Sequence, residues 1–467
     1  TVTETGFGIE LPVKKITVAA QSHELVPVRF HADPAQFDRT GDPLTPAKLN
    51  DRARSWVYEV SGKIVLANDT EKLRVPYHAL VRAAATKHTT ESRIALPNRN
   101  LVSLELSLEG DSAHPKPLVS VFELAGVSPR NNLLTDAADI SADVLAFGVA
   151  SDYPQSGSVA ETTVYFAISN AGPWTNPHSF LYDPHLQIDT NFDGWIDHEL
   201  ASCSNGGFIK DDLTVSGYAD DVFLSILIRV PRAERGLADV GYLNVFPPDE
   251  FDTVPFNNSV MVLPIPARML GLDEEKTDFD FRVLTLGAEQ YGYPEIDRTE
   301  LIRYDVTKPV VHSAFGINGT VMYDANEPIK IAVDRGLAKR EGRRPAVLLL
   351  HHMNTDDHKL DIVQLDLDAD DADADGASDD DELAAGTDPA DPDSVFAILP
   401  ASRKTALGPE IRWHSVAGKS YQVQRAASLG QAFETLPGLL PATPPLNVFI
   451  DKTAPKEGEL FYRILKP

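Results

Sequence analysis

The chain has 467 residues, a formal net charge of −27 and a single cysteine, Cys203. That charge argues against a nucleic-acid partner or an anionic membrane surface, since phosphates repel it, and no run of about 18 apolar residues marks a membrane-crossing helix. One cysteine excludes an internal disulfide, while 43% hydrophobic residues are enough for real cores, about three domains at roughly 150 residues each.

Alternating Val, Ile, Thr and aromatic residues, broken by Pro, Gly, Asn and Asp, predict an all-β chain. The 34 prolines fit loops and strand edges. Residues 1–95 carry five candidate strands: Gly6–Leu11, Lys15–Ala20, Glu24–Phe30, Val57–Leu66 and Lys72–Ala83. Pro76 sits inside the last, which marks it as an edge or a bulge. An immunoglobulin-like sandwich uses about seven strands, so this first domain reads as incomplete.

Residues 96–360 read as a larger β-region. Its candidate strands are Leu101–Leu108, Leu118–Ala125, Ala142–Val149, Thr162–Ile168, Leu186–Asp189, Asp221–Val230, Met261–Ile265, Asp278–Leu286 and Ala346–His351. Within Val222–Ile228 only Ser225 interrupts the apolar run, which predicts a strand buried on both faces.

The same region contains Asp189-Thr190-Asn191-Phe192-Asp193-Gly194-Trp195-Ile196-Asp197. Asp189, Asn191, Asp193 and Asp197 occupy positions 1, 3, 5 and 9 of a calcium loop, with Gly194 at position 6 and the backbone of Trp195 at position 7. Position 12 is Leu200 rather than Glu, so Glu199 or a carboxylate from elsewhere must complete the shell, or the site is weak. The alternative is an Asn/Asp/Gly turn joining two strands.

From Asp361 to Asp393 the chain holds 13 Asp plus Glu382 and no Lys or Arg, which is −14, about half of the total charge. Such a run unfolds itself by repulsion unless a cation neutralises it. Asp371, Asp373, Asp375, Gly376, Ala377, Asp379 and Glu382 match D-x-D-x-D-G-x5-E. Calcium takes 6–8 oxygens at roughly 2.3–2.6 Å. Alternate carboxylates of a tight loop supply them, together with the Ala377 carbonyl, Asp379 directly or through water, and both oxygens of Glu382. The alternative is a solvated acidic linker. Asp366, Asp368 and Asp370 repeat the rhythm upstream without a following glycine.

After this segment, Phe396–Leu399, Glu410–His414, Lys419–Ala426, Phe433–Leu436, Asn447–Asp451 and Leu460–Leu465 predict a small sandwich over residues 396–467, with Trp413 and Tyr421 in its core.

Three resemblances follow from these residues. Glu382-Leu383-Ala384-Ala385-Gly386-Thr387-Asp388-Pro389, behind its Asp ladder, resembles the close of a thrombospondin type 3 repeat, which implies a calcium-stiffened spacer between extracellular domains. Five stretches resemble, in order, the non-catalytic part of secreted bacterial subtilisin-like serine proteases. They are Leu73-Arg74-Val75-Pro76-Tyr77-His78-Ala79, Phe122–Arg130, Ile188–Gly194, Thr253–Ser259 and Leu348–Asn354. That resemblance implies a fibronectin-type-III-like sandwich and further β-structure over residues 1–360. The protease motifs D-[ST]-G, H-G-T-H and G-T-S-x-A-x-P are absent from the sequence, and triad chemistry needs all three groups. The stretch Ile411–Val423 resembles a small C-terminal sandwich that often follows such calcium repeats in secreted bacterial proteins.

Other chemistry is thinly represented. His351, His352 and His358 suggest a zinc site, but adjacent strand residues face opposite sides. Asp249 and Glu250 are neighbours in an acidic loop, and Cys203 reads as a small buried residue. The expectation is therefore an all-β protein of several β-sandwich domains joined by a calcium-binding acidic linker: 1–95, 96–360, the linker 361–395, and 396–467. It reads as an extracellular or cell-surface structural or adhesive protein with Ca2+ as its cofactor and no catalysis of its own. Its partners are a second copy of itself or a cell-surface or matrix component. The start TVTETGFG, without Met, reads as a mature or trimmed product. Two alternatives stand beside this: the processed C-terminal accessory region of a subtilisin-like protease, and a filament subunit assembled by strand complementation.

Overall fold

The computed structural model describes the chain apart from residues 1, 5, 34–35, 37–47, 50–51, 54–57, 98, 113–116, 178–181, 205–221, 231–235, 245–252, 254, 288–291, 293, 314–315, 317–319, 368–378, 389–390, 392–393, 395, 400–402, 429–431, 456–457, 459 and 466–467. The described chain is mostly antiparallel β-sheet with a few short helices. It divides into two compact units, one of residues 1–94 and 99–365 and one of residues 95–98 and 366–467.

Two large sheets dominate the first unit. One runs, from edge to edge, through Asn258–Pro266, Thr163–Trp174, Val144–Ser151, Leu118–Val127, Ala346–His351, Leu360–Asp366 and Arg93–Ala95, with Met322–Asp324 also paired to Leu118–Val127. The other runs through Gly236–Tyr242, Phe223–Arg229, His198–Ser204, Asp183–Asp189, Asp278–Leu286 and Glu295–Arg298, with Ile302–Asp305 also on Asp278–Leu286.

One buried cluster takes side chains from both sheets, so they pack face to face as a sandwich. Phe147 and Phe166 of the first sheet meet Phe279 and Phe281 of the second with ring centroids 5.1–6.1 Å apart, mostly edge to face. At the margin of this core, Trp174 lies flat on Tyr182 and donates its indole N–H to the Pro255 carbonyl. The apolar strand expected to be buried on both faces is so: Phe223 and Leu227 face the shared core, while Val222, Leu224 and Ile226 join Ala201 and Cys203 on the outer face.

The N-terminal part holds a three-stranded sheet of Val2–Glu4, Phe7–Glu10 and Arg29–Ala32, and a two-stranded ladder of Tyr58–Ala67 with Lys72–Val81. Its small core is Phe7, Ile9 and Val60, with Val28, Tyr58, Tyr77, Ala79 and Val81 against it. Lys15–Ala20 has the alternating pattern of a strand but forms no ladder among the described residues, and Val18 stands in solvent. Pattern alone does not make a strand without a neighbour to bond. The expected strand Glu24–Phe30 starts later, at Arg29.

In the second unit, Arg403–Thr405, Gly408–His414 and Leu446–Ile450 form one sheet, and Glu434–Thr435, Ser420–Ala426, Leu440–Pro441 and Phe461–Leu465 another. Trp413 and Tyr421 are fully buried between them, 5.5 Å apart and edge to face, with Ile411, Val423 and Leu436. Beside that core, the buried Asp451 accepts from Arg425 at 2.7 Å, Tyr462 at 2.9 Å, and the Thr453 hydroxyl and N–H. Burial pushes its carboxyl up, but these donors overcome burial and hold it below the usual carboxylate range.

Two outcomes are expected. Phe281→Ala leaves a cavity where both sheets meet and lowers stability by about 3–5 kcal/mol, read by urea denaturation. Asp451 binds its proton less readily when folded, so its contribution is complete above the unfolded carboxylate pKa and is lost as pH falls through the folded one. Asp451→Asn therefore flattens the acid limb of the second unit's stability curve; an unchanged limb would contradict this.

Candidate metal centre

The loop Thr190–Asp197 connects Asp183–Asp189 to His198–Ser204, two neighbouring strands of the second large sheet. Its start is fixed by the core: Ile188 and Leu200 are fully buried in the shared cluster. Asp189, itself buried, turns its carboxylate into the loop. Its Oδ1 accepts from the N–H of Asn191 (3.1 Å) and Phe192 (2.7 Å), and its Oδ2 from that of Gly194 (2.9 Å). Asn191 Oδ1 accepts from Asp193 N–H at 3.0 Å, and Asp193 Oδ1 from Trp195 N–H at 2.8 Å. Asp197 closes the ring, its Oδ2 accepting from the Thr190 N–H and hydroxyl, both at 2.9 Å, and its Oδ1 from the Asn191 amide at 3.3 Å.

Alternate Asp and Asn residues thus fold the backbone by bonding the N–H two residues on. Gly194 has φ +84°, a conformation an L side chain resists. Trp195 stands 78% exposed, so its side chain takes no part, and only its carbonyl could face a cation.

The five expected residues Asp189, Asn191, Asp193, Trp195 and Asp197 therefore share one short loop, and the donor set is all oxygen, which suits a hard cation. Among the described residues, no three His, Cys, Asp or Glu side chains converge at metal-binding distance. The loop carboxylates lie on backbone N–H groups and on each other's neighbours.

The missing twelfth ligand has a structural reason. Leu200 is a core residue of a strand. Glu199 accepts from Gln187 at 3.2 Å and lies 3.7 Å from His185, so it belongs to the sheet surface and does not complete the shell. The nearer carboxylate is one that spacing could not reveal. Asp280 lies directly across the ladder from Asp189. Arg303 grips Asp280 at 2.9 and 3.2 Å and covers the Phe192 ring at 3.9 Å. Its guanidinium is held above its ordinary pKa, first by the Asp280 bond and then by Asp280, Asp278 and Asp189 charge. The loop therefore already has one organic counter-ion at its side.

Of the second set, Asp371, Asp373, Asp375 and Ala377 lie outside the described residues. Asp379 and Glu382 are on the helix Asp379–Ala385, and Glu382 is 1% exposed. The carbonyl of Glu382 accepts from Thr387 N–H at 2.9 Å and from the Thr387 hydroxyl. Gly386, at φ +82°, lets the turn press against the small sandwich: a Cβ there would meet Val416 at 2.3 Å. The turn Gly386-Thr387-Asp388 is thus a packed joint within the second unit. The acidic segment also begins inside a strand, Leu360–Asp366.

The three histidines each meet a different partner. His351 pairs with Asp361 at 2.9 Å, His352 with Ser120 at 2.8 Å, and His358 stacks on His88. Burial pushes Asp361 up, but His351 and the Thr89 N–H hold it below the usual range. Asp249 and Glu250 lie outside the described residues, and Cys203 is buried in an apolar cluster. No protein-family model matches the chain, and no curated protein matches it either.

Two substitutions test this geometry. Asp189→Ala removes the acceptor of three N–H groups and is expected to cost about 2–4 kcal/mol while increasing hydrogen exchange across 190–197. Gly386→Ala combines a strained φ with a clash between the new Cβ and the Val416 side chain and is expected to lower the melting temperature of the second unit by several degrees; an unchanged value would show that the joint is loose.

Proposed function

We propose that this chain is an extracellular or cell-surface calcium-binding protein of structural or adhesive role, without catalytic activity of its own. The observation that carries the reading is the loop 189–197, whose side chains Asp189, Asn191, Asp193 and Asp197 line one short turn with oxygen donors. It is braced from below by buried strands. Calcium would draw those oxygens off the N–H groups onto one centre. The acidic segment supports the same reading from its composition, since −14 in 33 residues without Lys or Arg calls for a counter-ion. Free calcium at millimolar level outside cells suits carboxylate loops of modest affinity. Bound there, the ion converts a self-repelling segment into a fixed spacer ahead of the small sandwich.

Calorimetric calcium titration of the intact chain, with scattering in calcium and in EDTA, tests this. Two classes of saturable site are expected. Asp189→Ala with Asp193→Ala removes one, and Asp373→Ala with Asp375→Ala removes the other. Heat-free titration of the wild type would end the calcium reading.

A second reading, assembly by strand addition, is favoured by the ladder Tyr58–Ala67 with Lys72–Val81. Among the described residues each of these strands pairs only with the other. Leu73, Val75 and Leu80 on it are 50–65% exposed. Exposed apolar strand edges recruit further strands. Growth of mass with concentration in sedimentation is expected on this reading, and a monomer at high concentration in calcium removes it.

A further inference from the structure

We propose that Lys359 and Asn258 become joined in the folded protein by an intramolecular amide bond, the Lys359 Nζ replacing the Asn258 Nδ2 on Cγ. The two residues are 101 apart in sequence and meet inside the first unit, where Lys359 is 4% and Asn258 0% exposed. Nζ lies 2.8 Å from Asn258 Oδ1 and 3.2 Å from the His352 carbonyl oxygen. The Asn258 amide nitrogen donates to that same His352 oxygen at 3.2 Å, so one carbonyl holds the attacking and the departing nitrogen side by side. The Ser259 N–H donates to Asn258 Oδ1 at 2.9 Å, where negative charge grows when the carbonyl is attacked.

The oddity to be explained is a buried lysine whose two close contacts are a neutral amide and a backbone carbonyl. An ammonium taken this far from water needs an anion beside it. The charged groups that act on it are Arg82 and Asp356; Arg82 adds to the effect of burial and Asp356 opposes it. Arg82 itself lies 3.7 Å from Asp356. Burial first, and Arg82 second, push the Lys359 amine down to about 7. A good part of it is then the neutral amine near neutral pH, with a lone pair available for attack. The site is too closed for a dissolved substrate, so the electrophile within reach is the side-chain amide already against it. The same closure keeps out water, the competing nucleophile, and the fold holds the two groups in contact without further entropic cost.

The step balances without an oxidant, reductant or second reactant. The Nζ–Cγ bond forms and the Cγ–Nδ2 bond breaks. One proton passes from Nζ to Nδ2, which leaves as ammonia. The product is a secondary amide that removes the amine's charge and retains the Ser259 N–H on its oxygen. It ties the first residue of Asn258–Pro266 to the residue just before Leu360–Asp366, two strands of the same large sheet. In a chain whose single cysteine excludes an internal disulfide, this supplies a covalent brace.

The test is the mass of the intact wild-type protein, freshly purified and after being held folded at mildly alkaline pH. A mass lower by one ammonia is expected, with conversion faster as pH rises through about 7, where the amine loses its proton. Digestion and tandem mass spectrometry are expected to give a branched peptide joining the segments of Asn258 and Lys359. A cyclised asparagine elsewhere also loses ammonia, but it is cleaved by hydroxylamine, whereas the cross-link survives; Lys359→Arg abolishes only the latter. The sequence mass before and after incubation, or a loss located entirely at other asparagines, overturns the proposal.

Discussion

The closure of two antiparallel sheets over Phe147, Phe166, Phe279 and Phe281 is the constraint on which the rest of the first unit depends. A chain with one cysteine has no internal disulfide with which to limit its unfolded ensemble. Its folded state must be stabilised mainly by apolar area removed from water, at roughly 25 cal/mol per Å². That is why even an edge strand can be buried throughout: all nine residues of Asn258–Pro266 are buried, and so are all six of the inner strand Ala346–His351. The sandwich also fixes the register of Asp183–Asp189 against Asp278–Leu286. A slip by one residue would turn Ile188 and Phe281 outward and carry Asp189 into the core. The position of the candidate loop is thus a consequence of hydrophobic pairing well below it.

The same packing governs how a strongly acidic chain handles its carboxylates. At several buried or half-buried acidic groups, donors converge. Glu123 takes the N–H groups of Val310 and Val311 and the guanidinium of Arg343. Asp361 takes His351 and Thr89, Asp451 takes Arg425 and Tyr462, and Asp280 takes Arg303. These pairs offset the desolvation that burial imposes, and removing one partner costs more than the pair contributes. The stretch from Asp368 to Asp393 has no Lys or Arg of its own. Nothing local in sequence can do there what Arg303 and Arg425 do elsewhere, which is the electrostatic reason to look to an inorganic cation.

Much of this architecture was legible in the sequence because β-structure leaves a periodic record. Asp278–Leu286 and Ala346–His351 coincide with their expected bounds, and Trp413 and Tyr421 lie in the core where their aromatic bulk placed them. The misses share a cause. Lys15–Ala20 reads as a strand from its own residues, yet strand formation needs a neighbour, and periodicity carries no information about neighbours. The helix Arg335–Glu341 went unread although its signals were present: the Asp334 carboxylate caps Leu337 N–H, and Gly342 ends it at φ +66°. At seven residues it is too short for a 3.6-residue period to declare itself.

The candidate loop divides along the same line. Its five positions were visible because the ligand spacing of a turn is local, whereas Asp280 and Arg303 reach it only through the ladder, about 90 and 110 residues on in sequence. Glu199 shows the converse: proximity in sequence nominated it, but it sits opposite Gln187, a ladder step from the loop, and its carboxylate is engaged by Gln187 and His185. Polar contacts between other strands of the first sheet lie equally outside any local pattern. Lys359 with Asn258 and Ser120 with His352 span 101 and 232 residues, and each buries polar groups in a region that composition marks only as apolar. A buried polar group must find a partner or raise the free energy of the fold. The positions at which an apolar strand admits Ser, Asn, His or Lys are therefore the ones whose partners must be sought in space, and they are where chemistry beyond packing has room to occur.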